Sequence, residues 1–292
     1  LDRSSAASDV YKRQNYYREV KSFILYRAKH NMDRKVMTDF EQYINDKEIL
    51  DIISKVQSEF DNQRYPIDSL YFKFESFTKA NMTDDELLKA LTRAASELTS
   101  KETPDWEIIA ARFLMYEIDL EIKRNEERYD IVDFKSKIDY LTNAGLYGAY
   151  IKENYSSEDF DELEAYLKKD RDDLFTYSGL DLVKKRYLIR TFTGDIIESV
   201  QEMFMGIAMH LAIPEKDRVA FAKRLYDILS TLKATMATPT MTNARKPFNQ
   251  LSSCFIDTVP DTLKGIYRSI TNFAEVSKHG GGMGLYLSLI HI

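Results

Sequence analysis

The sequence predicts a mainly α-helical chain that passes, near residue 235, into the opening of an α/β domain. Three observations lead there. From Tyr17 to about Lys233, apolar residues recur at three- and four-residue spacing between repeated helix-start signals. Near Met236 the character changes: "MATPTMTNARKPFNQLSSCFIDTVPD" brings Pro239, Pro247 and Pro260 together with many Thr and Ser. Beyond it come a β-prone run, a helical run, a glycine cluster and another apolar run, the order in which an α/β domain begins.

Seven or eight helices are expected before residue 235. "TDDE" at Thr83 to Glu86 is a capping box ahead of "LLKALTRAASEL". In "TPDWEIIAARFLMYEIDLEIKR" the start signals are Thr103 as N-cap, Pro104 at the first helical position and Asp105 facing the positive end of the helix dipole. "SSEDFDELEAYLKKD" places acids early and lysines late, and "IPEKDRVAFAKRLYDILSTLK" opens with Pro214. Tyrosine-bearing stripes such as "LMYEI" and "RLYDIL" read as helix core faces.

In the last third, "SSCFIDTV" reads as a β-prone run, with Phe255, Ile256, Thr258 and Val259 the residues that favour a strand. "DTLKGIYRSITNFAEVSK" reads as a helix ending at Lys278, with Asp261 as its N-cap. Gly280, Gly281, Gly282 and Gly284 follow; they serve either as a tight turn or as backbone that lets a phosphate approach, though "GGGMG" lacks the lysine and hydroxyl order of a P-loop. Thr238, beside Pro239 in a turn-forming segment, is either a turn residue or a hydroxyl for a phosphate. Cys254 is the single cysteine of 292 residues. Such a residue is either a small buried hydrophobe or a reactive thiol, and redox work would require a second thiol from elsewhere.

Composition narrows the functional classes. Charged residues make up 30% and the net charge is −6, with both signs interspersed, so no broad nucleic-acid-binding face is expected. No apolar run approaches the roughly 20 residues of a membrane span. One cysteine forms no internal disulfide, and no charged, apolar, small-residue leader pattern opens the chain, so a soluble protein of the reducing cytoplasm is expected. His30, His210, His279 and His291 show no ligand spacing, and no metal site is expected. "LDRSSAASDVYKRQ" and "SLIHI" have no periodicity and read as adapter-like, non-native ends over residues 1–14 and 288–292, so the chain is expected to be a truncated piece.

"ATPTMTN", then "NQLSSCFIDTVPDTLKGIY", then "SKHGGGMGLYL" together resemble the large, catalytic subunit of class I ribonucleotide reductase. "ELTSKETPDWEIIAARFLMYEI", "RDDLFTYSGLDLVKKRYLIR" and "TGDIIESVQEMFMGIAMHL" resemble its helical N-terminal domain and the segment leading into its barrel, so the resemblance covers about residues 49 to 287. It implies a helical domain over 101–235 and, over 236–287, the start of a ten-stranded α/β barrel in which radical chemistry reduces ribonucleoside diphosphates to deoxyribonucleotides for DNA synthesis. It further implies that Cys254 is one of two redox cysteines that end as a disulfide. By the same resemblance Thr238, Ser253 and Gly282 contact substrate, and Asp261, Thr262, Leu263 and Lys278 bind the deoxynucleotide effector that selects the base.

The implied partners are a metal-containing small subunit that supplies the radical, thioredoxin or glutaredoxin as reductant, and a second copy of the subunit. "YREVKSFILYRAKHNMDRK" resembles the last helix of an ATP-cone, the domain through which ATP and dATP set activity. Residues 15–100 are accordingly expected to be a cone-like helical region, incomplete because no basic β-hairpin precedes it. Two rivals remain: the adenosylcobalamin-dependent class II enzyme, which shares the barrel, and a helical binding or regulatory module in which Cys254 and the glycines are structural.

Overall fold

The computed structural model describes residues 39–287; the ends read above as adapter-like, the stretch 17–35 whose sequence resembles a cone helix, His30 and His291 lie outside the described residues. These residues form two compact units: one up to Glu117 together with Phe175–Leu180, the other of Ile118–Leu174 and the chain from Asp181 onward.

The first unit contains α1 (Lys47–Glu59), α2 (Ile67–Glu75), α3 (Asp84–Glu97) and the first half of α4 (Trp106–Arg128). No strand occurs among its described residues. Apolar residues at helical spacing bury one face of each helix: Ile49 and Ile53, Leu70 and Phe74, Leu88 and Leu91, Ile109 and Phe113 share one core with Phe40. The expected capping box is present, with Thr83 Oγ1 accepting from the Glu86 amide and the Glu86 carboxylate from the Thr83 amide. α4 starts two residues later than expected. Pro104 and Asp105 form a turn before it, the Thr103 hydroxyl bonds to Leu98 O and Ser100, and Asp105 accepts from the Tyr65 hydroxyl at 2.7 Å instead of capping.

The second unit holds the rest of α4, then α5 (Phe134–Asn143), α6 (Ala149–Asn154), α7 (Ser157–Glu164), a 3₁₀ turn at Lys169–Leu174, the end of α8 (Tyr177–Arg186), α9 (Val200–Ala212), α10 (Arg218–Ser230) and α11 (Thr238–Asn243). Ten α-helices therefore precede residue 235 among the described residues, against the seven or eight expected. Short elements such as the six-residue α6 carry too little periodicity to register in the sequence. Nor does Pro214 open α10. It lies in a turn, and Asp217 caps a helix beginning at Arg218.

α9 is buried nearly all round, from Val200 to Ala212. Its entry is held by ions rather than oil. Glu202 closes the Ser199 capping box and also takes Lys137 Nζ at 2.6 Å, while Glu126 approaches the same ammonium at 2.6 Å. Burial alone would lower the Lys137 pKa, but the charge of Glu202 and then Glu126 outweighs it, and the group is held above its ordinary value.

The chain then enters β1 (Cys254–Thr258), α12 (Leu263–Lys278) and β2 (Gly282–Tyr286), with β1 and β2 parallel and Cys254 opposite Gly282. A strand, a crossover helix and a parallel strand make the βαβ unit from which α/β barrels are built. The glycine cluster is in part the turn. Gly280 has φ +82° and forms, with Gly281, a Schellman end to α12: Gly281 N donates to Val276 O and Gly280 N to Ser277 O, both at 3.0 Å.

Candidate active site

Among the described residues β1 is covered on one face only. Phe255 and Asp257 point to α12: Asn272 donates to Asp257 at 3.4 Å, and a Cβ on Gly281 would strike the Phe255 ring and Val276 at 2.8 Å. Cys254, Ile256 and Thr258 alternate onto the other face and are exposed, Ile256 by 85%. Cys254 is therefore not the small buried hydrophobe that lone cysteines commonly are; it is an exposed free thiol.

Three of the residues singled out by sequence converge there. The Ser253 hydroxyl lies 3.5 Å from Cys254 Sγ, Gly282 pairs with Cys254, and the Gly282 amide donates to Ser253 O at 2.8 Å. The strand partner directly across from the thiol thus has no side chain. A Cβ at Gly282 would meet only Ser253 O, at 3.5 Å, so nothing within the described residues demands glycine at that position.

Thr238 is placed differently. It sits in the first turn of α11, a helix rather than the expected turn segment, because Pro239 is compatible with a helix start. Its hydroxyl is 3.4 Å from that of Tyr187, and no bond links it to Cys254 among the described residues. α11 is nevertheless tied to the approach to β1, since Asn243 donates to Gln250 O at 2.9 Å and Thr240 to Leu251 O at 3.4 Å.

The four effector positions separate into two places. Asp261, Thr262 and Leu263 stand at the N-terminus of α12 and Lys278 in its last turn, about 25 Å away at 1.5 Å per residue. Thr262, not Asp261, is the N-cap: its hydroxyl accepts from the Gly265 amide at 3.1 Å, and no hydrogen bond to the helix is made by Asp261 among the described residues.

Sequence reasoning missed the pair that supports this region. Arg245, within "NARKP", is fully buried and bonds Glu198 through Nε and NH2, both at 2.5 Å. Its other donors reach Met241 O at 2.9 Å and Tyr187 O at 2.8 Å, which joins α11 to the segments before α9. Burial would lower its pKa, but the Glu198 charge and bonds reverse the sign, so the guanidinium remains fully charged. The one available signal was a carboxylate inside the apolar run "DIIESVQEMFMG". Among the described residues no group of His, Cys, Asp and Glu could hold a metal ion, and no helix is long and apolar enough to cross a membrane.

Comparison with known proteins adds the family. Residues 173–249 match the model of the ribonucleotide reductase all-alpha domain, and residues 252–291 that of the ribonucleotide reductase barrel domain. The chain is 48% identical over 277 residues to the ribonucleoside-diphosphate reductase subunit alpha of Treponema pallidum, covering 94% of the chain and 33% of that relative. It is similar to the same subunit of bacteriophage T4, at 34% over 76% of the chain and 29% of the relative. Against ribonucleoside-diphosphate reductase 1 subunit alpha of Escherichia coli the identity is 28%, over 68% of the chain and 26% of the relative. The chain thus spans a third or less of the length of these curated relatives.

Proposed function

The chain belongs to the ribonucleotide reductase large-subunit family, and on that premise we propose that it forms part of a class I enzyme that reduces ribonucleoside diphosphates to deoxyribonucleotides. The observation that carries the reading is the exposed Cys254 thiol on the helix-free face of β1, beside the Ser253 hydroxyl and opposite a glycine. In a barrel whose helices lie outside, that face is the interior. Substrate reaches the thiol over Gly282, where a missing side chain leaves room for a sugar.

The reaction replaces the 2′ C–OH bond of the ribose by C–H and releases water. Its two electrons and two protons come from two thiols, which become a disulfide. Cys254 supplies one; the second belongs to a part of the protein outside these residues, since the sequence has a single cysteine. A metal-containing small subunit supplies the radical that starts the reaction, and a thioredoxin or glutaredoxin returns the disulfide to thiols. Ser253 holds the Cys254 sulfur and contacts substrate, and Thr238 offers its exposed hydroxyl to the substrate from α11.

Asp261, Thr262 and Leu263 hold a deoxynucleotide effector. Lys278, a helix length away, reaches the same effector only from a second copy, which fits a homodimer with α12 antiparallel to its mate. The exposed apolar side of α12, with Leu263 and Ile270 more than half accessible, supports that pairing. We assign residues 15–100 to a cone-like region, 101–235 to the helical domain and 236–287 to the opening of the barrel, and we place the protein in the cytoplasm.

The test is Cys254→Ser in the full-length enzyme. Multiple turnover with the thiol reductant is lost while nucleotide binding persists, because the change removes an electron donor and almost no packing. Sustained turnover in the variant would refute the assignment.

A further inference from the structure

The second unit contains a cleft of about 530 Å³ formed around the end of α11, the turn at 145–146, the Ile189–Arg190 segment and the C-terminus of α12. Arg190, Lys246 and Lys278 line it, and among the described residues no Asp or Glu does. Arg190 is held in place by carbonyls, Gly194 O at 3.0 Å and Lys184 O at 2.8 Å, so it is fixed without being neutralised.

Lys246 is half-buried, and its ammonium has no carboxylate partner among the described residues. Burial and then the neighbouring Arg245 charge push its pKa down. The nearby buried carboxylate, Glu198, is already engaged by Arg245 through two bonds of 2.5 Å. On another side of the cleft Phe248 and His279 stack, ring centroids 3.9 Å apart and 28° between planes, and give it a flat wall.

Cations that line one cleft without carboxylate partners among the described residues repel one another, and an entering anion removes that cost while gaining charge-assisted hydrogen bonds. We propose that this cleft binds a phosphate-type dianion, either inorganic or borne on a small organic molecule whose body lies along the Phe248–His279 wall. The inference goes beyond the reductase reading. Arg190, Lys246 and Phe248 are outside the positions given to substrate and effector, and the site does not require Lys278 to serve an effector.

Calorimetric titration of the full chain with inorganic phosphate and with phenyl phosphate, at constant ionic strength, tests it. Saturable binding is expected, weakened about tenfold by Lys246→Gln through loss of one charged hydrogen bond and restored by Lys246→Arg. Tighter binding of phenyl phosphate, abolished as an advantage by Phe248→Ala, identifies an organic phosphate; equal binding of the two identifies the inorganic ion. Asp261→Ala, in the proposed effector site, leaves phosphate binding intact, so a failure of the effector reading is distinguishable. Absence of saturable heat, or equal affinity in the wild type, Lys246→Gln and Arg190→Gln, overturns the proposal.

Discussion

Replacing Arg245 by Met should destabilise the second unit more than any surface change could. The side chain is fully buried, and its guanidinium donates four hydrogen bonds, two to Glu198 and one each to Met241 O and Tyr187 O. Methionine fills much of the volume but leaves Glu198, itself nearly fully buried, with the Ile189 amide at 3.1 Å as its one remaining hydrogen-bond partner among the described residues. Breaking a buried pair from one side costs about 3–5 kcal/mol, a large part of the roughly 5–15 kcal/mol that holds a typical domain folded. Urea unfolding followed by far-UV circular dichroism measures the loss; tryptophan emission would not, because the single tryptophan, Trp106, belongs to the first unit. The double change Arg245→Met with Glu198→Leu should recover most of the loss, since removing both charges leaves nothing buried and unpaired. A single variant that loses less than about 1 kcal/mol, or a double variant no more stable than the single, refutes the reasoning.

Gly206→Ala should also destabilise, by about 1–3 kcal/mol, because the added Cβ overlaps the Tyr147 hydroxyl and lies 2.8 Å from Arg245 Cδ; an unchanged unfolding midpoint would contradict this. At the start of α12, Thr262→Ala should cost about 1 kcal/mol in unfolding experiments and Asp261→Ala almost nothing, since only Thr262 caps; equal costs would show that the cap is misassigned. Burial holds the His210 pKa below its ordinary 6.5, so as pH falls through 6.5 the unfolded chain takes up the proton before the folded one. Stability should therefore decline between pH 6.5 and the lower folded value, and His210→Gln should remove that part of the decline; parallel pH profiles for the two proteins would exclude it.

Signals that act within about five residues were legible in the sequence. The Thr83–Glu86 capping box, the strand at Cys254–Thr258, the end of α12 at Lys278 and the glycine turn after it follow from local hydrogen-bonding and backbone preferences that need no distant partner. Even locally, competition decided details: Asp105 could have capped α4, but its carboxylate bonds Tyr65, 40 residues away in sequence. The motifs around Cys254 were legible by resemblance, yet only the folded chain shows that the thiol lies on the helix-free face with a glycine opposite it. The buried ion pairs were not legible at all. Arg245 and Glu198 are 47 residues apart, Lys137 and Glu202 are 65 apart, and a charged residue carries no local mark of whether packing will surround it with water or with one opposite charge.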